Sequence, residues 1–174
     1  MTDTPRSLPS NTSEVPARPV MTAILTCVGF IVMSSVLGFI VGEADAAWYE
    51  ALRQPELFRP PDLLLLLLIL AFYPVFGFVL YRALSWPLDV PERRTVVALV
   101  VAALAIQVSW NPLLIGTRSL GAGVVGNAAL LGVLAALVLV LWRRDKLPAL
   151  LVLPFLLLAV HDLAWSWELL RLNP

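Results

Sequence analysis

The sequence predicts an all-α, polytopic membrane protein: a five-transmembrane-helix bundle with a structured first loop. Three observations carry that prediction. Of 174 residues, 60% are hydrophobic and only 14% charged, where a soluble domain is about half apolar and a quarter charged. The mean hydropathy is +0.88. Five apolar runs, each near the ~20 residues that cross a bilayer, are separated by charged or proline-bearing turns. The charge balance excludes another class. Twelve basic and 12 acidic residues cancel, whereas a nucleic-acid binder clusters positive charge against phosphates.

Residues 1–20 are rich in Pro, Ser and Thr, without apolar period, and read as a flexible tail. Residues 21–173 then form a single domain. Its first span, about 21–42, carries no charge from Met21 to Gly42. Ala44-Asp45-Ala46 resembles a signal cleavage site, but this run exceeds the about 7–15 apolar residues of a signal peptide and is read as retained. The second span, about 63–84, opens on the leucine run Leu63–Leu68. The third, about 95–115, follows the turn Pro91-Glu92-Arg93-Arg94. The fourth, about 120–142, ends at Arg143-Arg144-Asp145-Lys146, and the fifth, about 147–170, carries His161, Asp162 and Glu168 in its second half. Short connections make sequential helices antiparallel neighbours. Only the first link, Glu43 to Asp62, is long, and Pro55, Pro60 and Pro61 forbid a continuous helix through it.

Five spans put the chain ends on opposite sides. The tail, second loop and fourth loop share eight basic residues, and the other side has four. The expected topology therefore has a cytoplasmic N-terminus and an outer C-terminus, in what is expected to be a bacterial cell membrane.

Polar residues at membrane depth are costly and carry the information. Gln107, Trp110 and Asn111 fall at i, i+3 and i+4 on one helix face, and Pro112 follows. Proline frees a carbonyl one turn back, so this helix end could hold a polar ligand group or simply bond neighbouring helices. His161, Trp165 and Glu168 share a face of the fifth span, with Asp162 and Ser166 beside it. Sequential residues point about 100° apart, so His161 and Asp162 are not expected to pair. Glu168 and Arg171, at i, i+3, are expected to form a weak interfacial ion pair. Cys27, the one cysteine, reads as a small buried hydrophobe, and His161, the one histidine, lacks the company a metal site needs. The small residues Ser34, Gly38 and Gly42, and Gly121, Gly123, Gly126 with Asn127, are read as internal helix contacts in preference to a dimer face. The first loop mixes Trp48, Tyr49, charges and prolines, which suits a stiff cover over the bundle mouth.

In order, these landmarks resemble the TspO/MBR family, the translocator or tryptophan-rich sensory proteins, over residues 21–173. Trp48-Tyr49, Pro55 and Pro60-Pro61 resemble the family's first loop, and Tyr73 with Arg82 its second helix. Gln107-Val108-Ser109-Trp110-Asn111-Pro112-Leu113-Leu114-Ile115-Gly116 stands where the family has Asn-x-x-Trp-Ser/Thr-Pro-x-x-x-Gly. Pro154-Phe155 and Arg171-Leu172-Asn173 are similar to the two ends of its fifth helix. The chain is a divergent member by this reading. Ile69 and Leu158 replace family tryptophans, Leu57 and Phe58 replace the loop's paired tryptophans, and Gln107 and Ser166 stand for asparagines.

The resemblance implies an intrabundle cavity for a flat apolar ligand: a tetrapyrrole such as porphyrin or a haem intermediate, or a sterol. It implies a sensory, regulatory or transport role and a homodimer in membrane lipid. The expected ligand contacts are Trp48, Phe58, Tyr73, Gln107, Trp110, Asn111, His161 and Trp165, with porphyrin or haem as ligand and no obligatory cofactor. No catalytic residue or metal ligand is assigned, because no nucleophile–base pair, phosphate loop or metal cluster is legible. The alternatives are a membrane enzyme that modifies or degrades porphyrin through Trp165, His161 and Asp162, and a small proton-coupled transporter.

Overall fold

The computed structural model describes residues 17–55 and 61–174, with the side chains of 17, 42–46, 62 and 111 outside that description. Five helices follow in order: α1 Ala17–Glu50, α2 Asp62–Leu84, α3 Pro91–Asn111, α4 Leu120–Arg144 and α5 Lys146–Leu172. All five are long and apolar enough to cross a membrane. The helices therefore match the expected spans, with differences at α3 and α1. α3 opens at Pro91, taking in the charged residues expected as a turn, and ends at Asn111 instead of 115. α1 differs at both ends. It begins at Ala17, inside the expected tail, and runs to Glu50, eight residues past the expected end at Gly42. The reason is local. No proline or glycine occurs between Glu43 and Gln54, and Ala, Glu and Leu in that stretch favour helix. At 1.5 Å per residue, α1's 34 residues reach about 50 Å, well past a ~30 Å hydrocarbon layer.

The helices close a ring in the order α1, α2, α5, α4, α3, and back to α1, with α2 also touching α3 across the middle. Each pair joined by a short link is in contact, as the loop lengths require. The first loop and the C-terminus lie at one end of this ring, the α2–α3 and α4–α5 links at the other.

The tight core lies in the half nearer the α2–α3 link. From α2 come Phe76, Val79, Leu80 and Ala83, buried at i, i+3, i+4, i+7, and from α3 Val96, Val100, Ala103 and Leu104, buried at i, i+4, i+7, i+8. Leu134, Leu137 and Leu141 of α4 and Ala149 and Val152 of α5 meet them. Phe72 stacks on Phe76 at 4.3 Å between ring centroids, and Phe155 presents its edge to both at 5.5 and 5.7 Å. These offset and edge-on arrangements suit the ring quadrupoles.

Close helix approach occurs at two glycines. Cys27 Sγ sits 3.0 Å from where a Cβ on Gly77 would stand, which seats the buried thiol between α1 and α2. Leu114 Cδ1 would lie 2.7 Å from a Cβ on Gly123. The expectation of internal contacts fails at Gly38, Gly121 and Gly126, whose missing side chains face open space. Gly38 lies on the exposed face of α1, while Gly121 and Gly126 border a cleft between α3 and α4, so none of the three is in close helix contact.

At the tight end, Arg82 Nε and Nη2 both donate to Asp145 Oδ2, at 2.9 and 2.6 Å. This pair ties the end of α2 to the α4–α5 junction. Arg144 lies 6.0 Å over the Trp86 ring, a cation–π contact. The Asp145 side chain is only 13% exposed. Losing its partner therefore costs more than a surface ion pair is worth. Arg82→Ala is expected to cost roughly 1–2 kcal/mol, lowering the detergent melting temperature by a few degrees. An unchanged melt would mean that water solvates Asp145 equally well. Gly123→Val is expected to cost about 1–3 kcal/mol through overpacking against Leu114. A Gly123→Val/Leu114→Ala double variant melting nearer the wild type checks that the clash is the cause.

Candidate functional site

Packing loosens towards the first loop. Beyond Val28, α1 keeps one half-buried stripe, Phe30, Ser34, Leu37 and Val41, at helical spacing, while Phe39 is 89% exposed. Among residues 63–70 of α2 only Leu65 and Leu68 are half-buried, and the rest are exposed. Leu65 and Leu68, one turn apart, mark the side of this stretch that meets the bundle.

The polar side chains gather at this looser level, on α4 and α5. Asn127 is 3% exposed. Its Nδ2 donates to the Asp162 carbonyl at 3.2 Å and to Ser166 Oγ at 2.6 Å. Ser166 Oγ in turn donates to the same carbonyl at 2.8 Å. An apolar span hides such an amide only when it is bonded, and here α5 supplies both partners. The sequence reading had placed Asn127 only beside a glycine stripe; as a lone amide within an apolar run it carried its own signal.

His161 Nδ1 lies 3.2 Å from Asp162 Oδ1. This corrects the expectation that helix neighbours would not meet. Backbone directions do diverge, but a short carboxylate can swing along the helix surface towards a ring that leans the same way. The Trp165 ring lies 6.0 Å from the His161 ring, tilted by 31°. On α5, Val152, Phe155, Ala159, Ser166 and Leu169 mark the buried line, and Leu157, Val160 and Trp167 the exposed one. At 100° per residue, His161 and Trp165 fall on the flank between them, and both are half-buried.

The other expected contacts are spread more widely. Trp48 is half-buried at the end of α1, and Trp110 is half-buried near the end of α3. Gln107 is exposed, so the face expected to unite it with Trp110 is split. The side chain of Asn111, and Phe58 altogether, lie outside the described residues. Tyr73 is half-buried deeper in the bundle, edge-on to Phe72 at 5.6 Å. It lines an apolar cleft of about 360 Å³ between α1 and α2, with Ala23, Cys27, Pro74 and Gly77. A second cleft, about 510 Å³, runs between α3 and α4 along Ser109, Leu113, Gly121 and Gly126.

The expected half-open end of the third helix takes another form. After Asn111 the chain continues as a π-helical turn, Pro112–Gly116. Thr117 N–H donates to the Pro112 carbonyl and Ser119 N–H to that of Leu114, both at 3.1 Å, while Thr117 Oγ1 donates to Leu113 at 2.6 Å. Arg118 closes the turn at φ 50°. Proline thus widens the helix rather than ending it, and the wider turn inserts Leu114 against Gly123. Such turns concentrate at functional sites.

Asn173 clamps the first loop. Its Oδ1 accepts from the Arg53 N–H at 3.0 Å, and its Nδ2 donates to the Arg53 carbonyl at 3.0 Å and to Leu169 at 2.9 Å. Glu168 and Arg171 pair at 3.0 Å, as their spacing predicts.

The TspO/MBR family model matches residues 19–171, nearly the whole chain. The chain belongs to the TspO/MBR family. No curated protein matches it. Within this TspO/MBR protein several landmarks have identifiable work: Arg82 in the α2 ion pair, Pro112 in the π turn and Asn173 in the loop clamp, two residues beyond the match. Asn127→Ala is expected to cost about 1–2 kcal/mol. Asn127→Asp should cost more, because a carboxylate cannot donate to the Asp162 carbonyl. Circular-dichroism melts in detergent give the order, and equal melts for all three proteins would remove the network from the account of stability.

Proposed function

We propose that this membrane protein binds a flat, mostly apolar ligand of the tetrapyrrole class, a porphyrin or haem intermediate, in the first-loop half of the bundle. The binding would serve sensing, regulation or transport. The observation that supports the reading is the difference in packing along the bundle. One half is filled by close-packed Phe, Leu and Val, while the other carries Trp110, His161 and Trp165 half-buried on α3 and α5. A planar ring system gains most from such a site: indoles supply contact area and one or two polar groups fix orientation. Trp48 would stand at the rim, and the first loop, held by Asn173, would cover it. Eight basic residues against four favour a cytoplasmic N-terminus, and a bacterial cell membrane belongs to the same reading. A homodimer belongs to the same reading, and a sterol is the alternative ligand.

The His161–Asp162 contact favours one second reading, a porphyrin-modifying activity. Loss of porphyrin absorbance over time, in the dark or in light, that vanishes in His161→Ala would support it.

Titration of the detergent-solubilised protein with protoporphyrin, read by tryptophan quenching and Soret absorbance, tests binding. Saturable micromolar binding is expected. A Trp110→Leu/Trp165→Leu variant should bind about tenfold more weakly or worse, while Trp142→Phe, exposed at the tight end, should leave affinity unchanged. No binding above that of empty detergent would turn the search to sterols.

A further inference from the structure

We propose that the cleft between α1 and α2 seats one acyl chain of an anionic phospholipid, drawn from the leaflet at the Arg82–Asp145 end of the bundle. Neither Trp110, His161 nor Trp165 borders this cleft, so a chain there is independent of any tetrapyrrole bound elsewhere. On α1 the cleft runs from Val20 to Ile31, and on α2 from Tyr73 to Tyr81. At 1.5 Å per residue those stretches rise about 16 and 12 Å, against about 15 Å for half of a ~30 Å hydrocarbon layer. Tyr73 and Pro74 stand at the middle of the span Leu63–Leu84, and Tyr81 lies one turn from its end. The cleft thus covers the depth of a single leaflet, from midplane to headgroups.

Width decides between occupants. Spread over the longer stretch, a volume of about 360 Å³ leaves a cross-section on the order of 20 Å². One hydrocarbon chain fits such a slot, whereas a helix of a second copy, about 10 Å across, does not. The small residues Ala23, Cys27 and Gly77 form the floor, and the exposed Ile24 and Val28 of α1 stand on one wall. Cys27 Sγ donates to the Tyr73 carbonyl at 3.5 Å, so the floor asks nothing polar of its occupant.

Charge selects the headgroup. At this end of the bundle the Arg82–Asp145 pair cancels. The other described charges there are Arg18, Arg93, Arg94, Arg143, Arg144 and Lys146 against Asp89 and Glu92. Basic groups at a membrane surface attract anionic lipid. Arg18, exposed two residues before Val20, stands on the cleft's own helix.

The full-length protein is reconstituted in phosphatidylcholine vesicles with a trace of phosphatidylglycerol carrying a diazirine in its acyl chain. After illumination, labelled peptides are mapped by mass spectrometry, with the same label on phosphatidylcholine for comparison. Label is expected on residues 20–31 and 73–81, about threefold heavier or more from phosphatidylglycerol, and displaced by unlabelled phosphatidylglycerol. Ile24→Trp, which fills the cleft from an exposed position, should reduce that labelling about fivefold. Leu139→Trp, exposed on α4, should leave it unchanged. Arg18→Gln/Arg94→Gln should bring the two lipids within about twofold of each other. Circular-dichroism melts confirm that each variant is folded. Label spread evenly over the exposed faces of all helices, or equal labelling by both lipids in the unchanged protein, would overturn the proposal. So would cross-links to a second copy, in place of lipid, from a photoreactive side chain at position 24.

Discussion

A bilayer offers backbone amides no water, so every carbonyl and N–H at membrane depth must find its partner inside the protein. The rest of this structure depends on that constraint. It explains why each crossing is a helix, and why polar side chains turn back on their own backbone, as Ser35 does to Ile31 and Ser109 to Ala105. It also explains the response to Pro112. The chain does not unravel where a donor is missing. It widens by one residue per turn, and Thr117 and Ser119 take up the carbonyls of the widened turn.

The same accounting divides the bundle along its length. In lipid there is no hydrophobic drive to bring helices together, so close fit must do it. The half near Arg82 and Asp145 is well fitted: interlocked phenylalanines, a glycine that admits Cys27, and an ion pair at the end. The half near the first loop lacks that fit on α1 and α2, and is held by directional bonds instead, those of Asn127 between α4 and α5 and of Asn173 across the loop. Hydrogen bonds can hold helices at a spacing that leaves volume between them, which side-chain interlock cannot. The architecture therefore joins a closely interlocked base to a first-loop half whose α4–α5 and loop contacts are polar.

Much of this was legible beforehand. Uninterrupted apolar runs gave the spans, prolines the break after α1, and charged clusters the links. The i, i+3 spacing of Glu168 and Arg171 gave their pair. What escaped was whatever depends on side-chain direction across helices. Gln107 and Trp110 share a face on an ideal wheel, yet the bundle buries one edge of that face and exposes the other. His161 and Asp162 diverge on the same wheel, yet their side chains meet. The continuation of α1 to Glu50 escaped because charge was taken as the end of the helix, whereas charge ends only the span. The glycines misled for a related reason: a stripe of small residues records what could approach, and Gly123 has a neighbour that does while Gly38, Gly121 and Gly126 have none.

The energetics of α5 press the last step. Placing a carboxylate near the centre of a span costs on the order of 2.5–3.5 kcal/mol, and Asp162 lies near the middle of Lys146–Leu172. The Asn127 and Ser166 bonds do not offset that cost, because they reach the Asp162 backbone carbonyl and not its carboxylate. The carboxylate's contact is His161, itself a polar ring that gains nothing from lipid. Two residues that each raise the free energy of the fold are thus placed together, on a turn that the neighbouring helix locks in position. Stability alone would have removed both. Their joint presence on a turn that Asn127 ties to α4 is a cost that the packing of α5 does not offset.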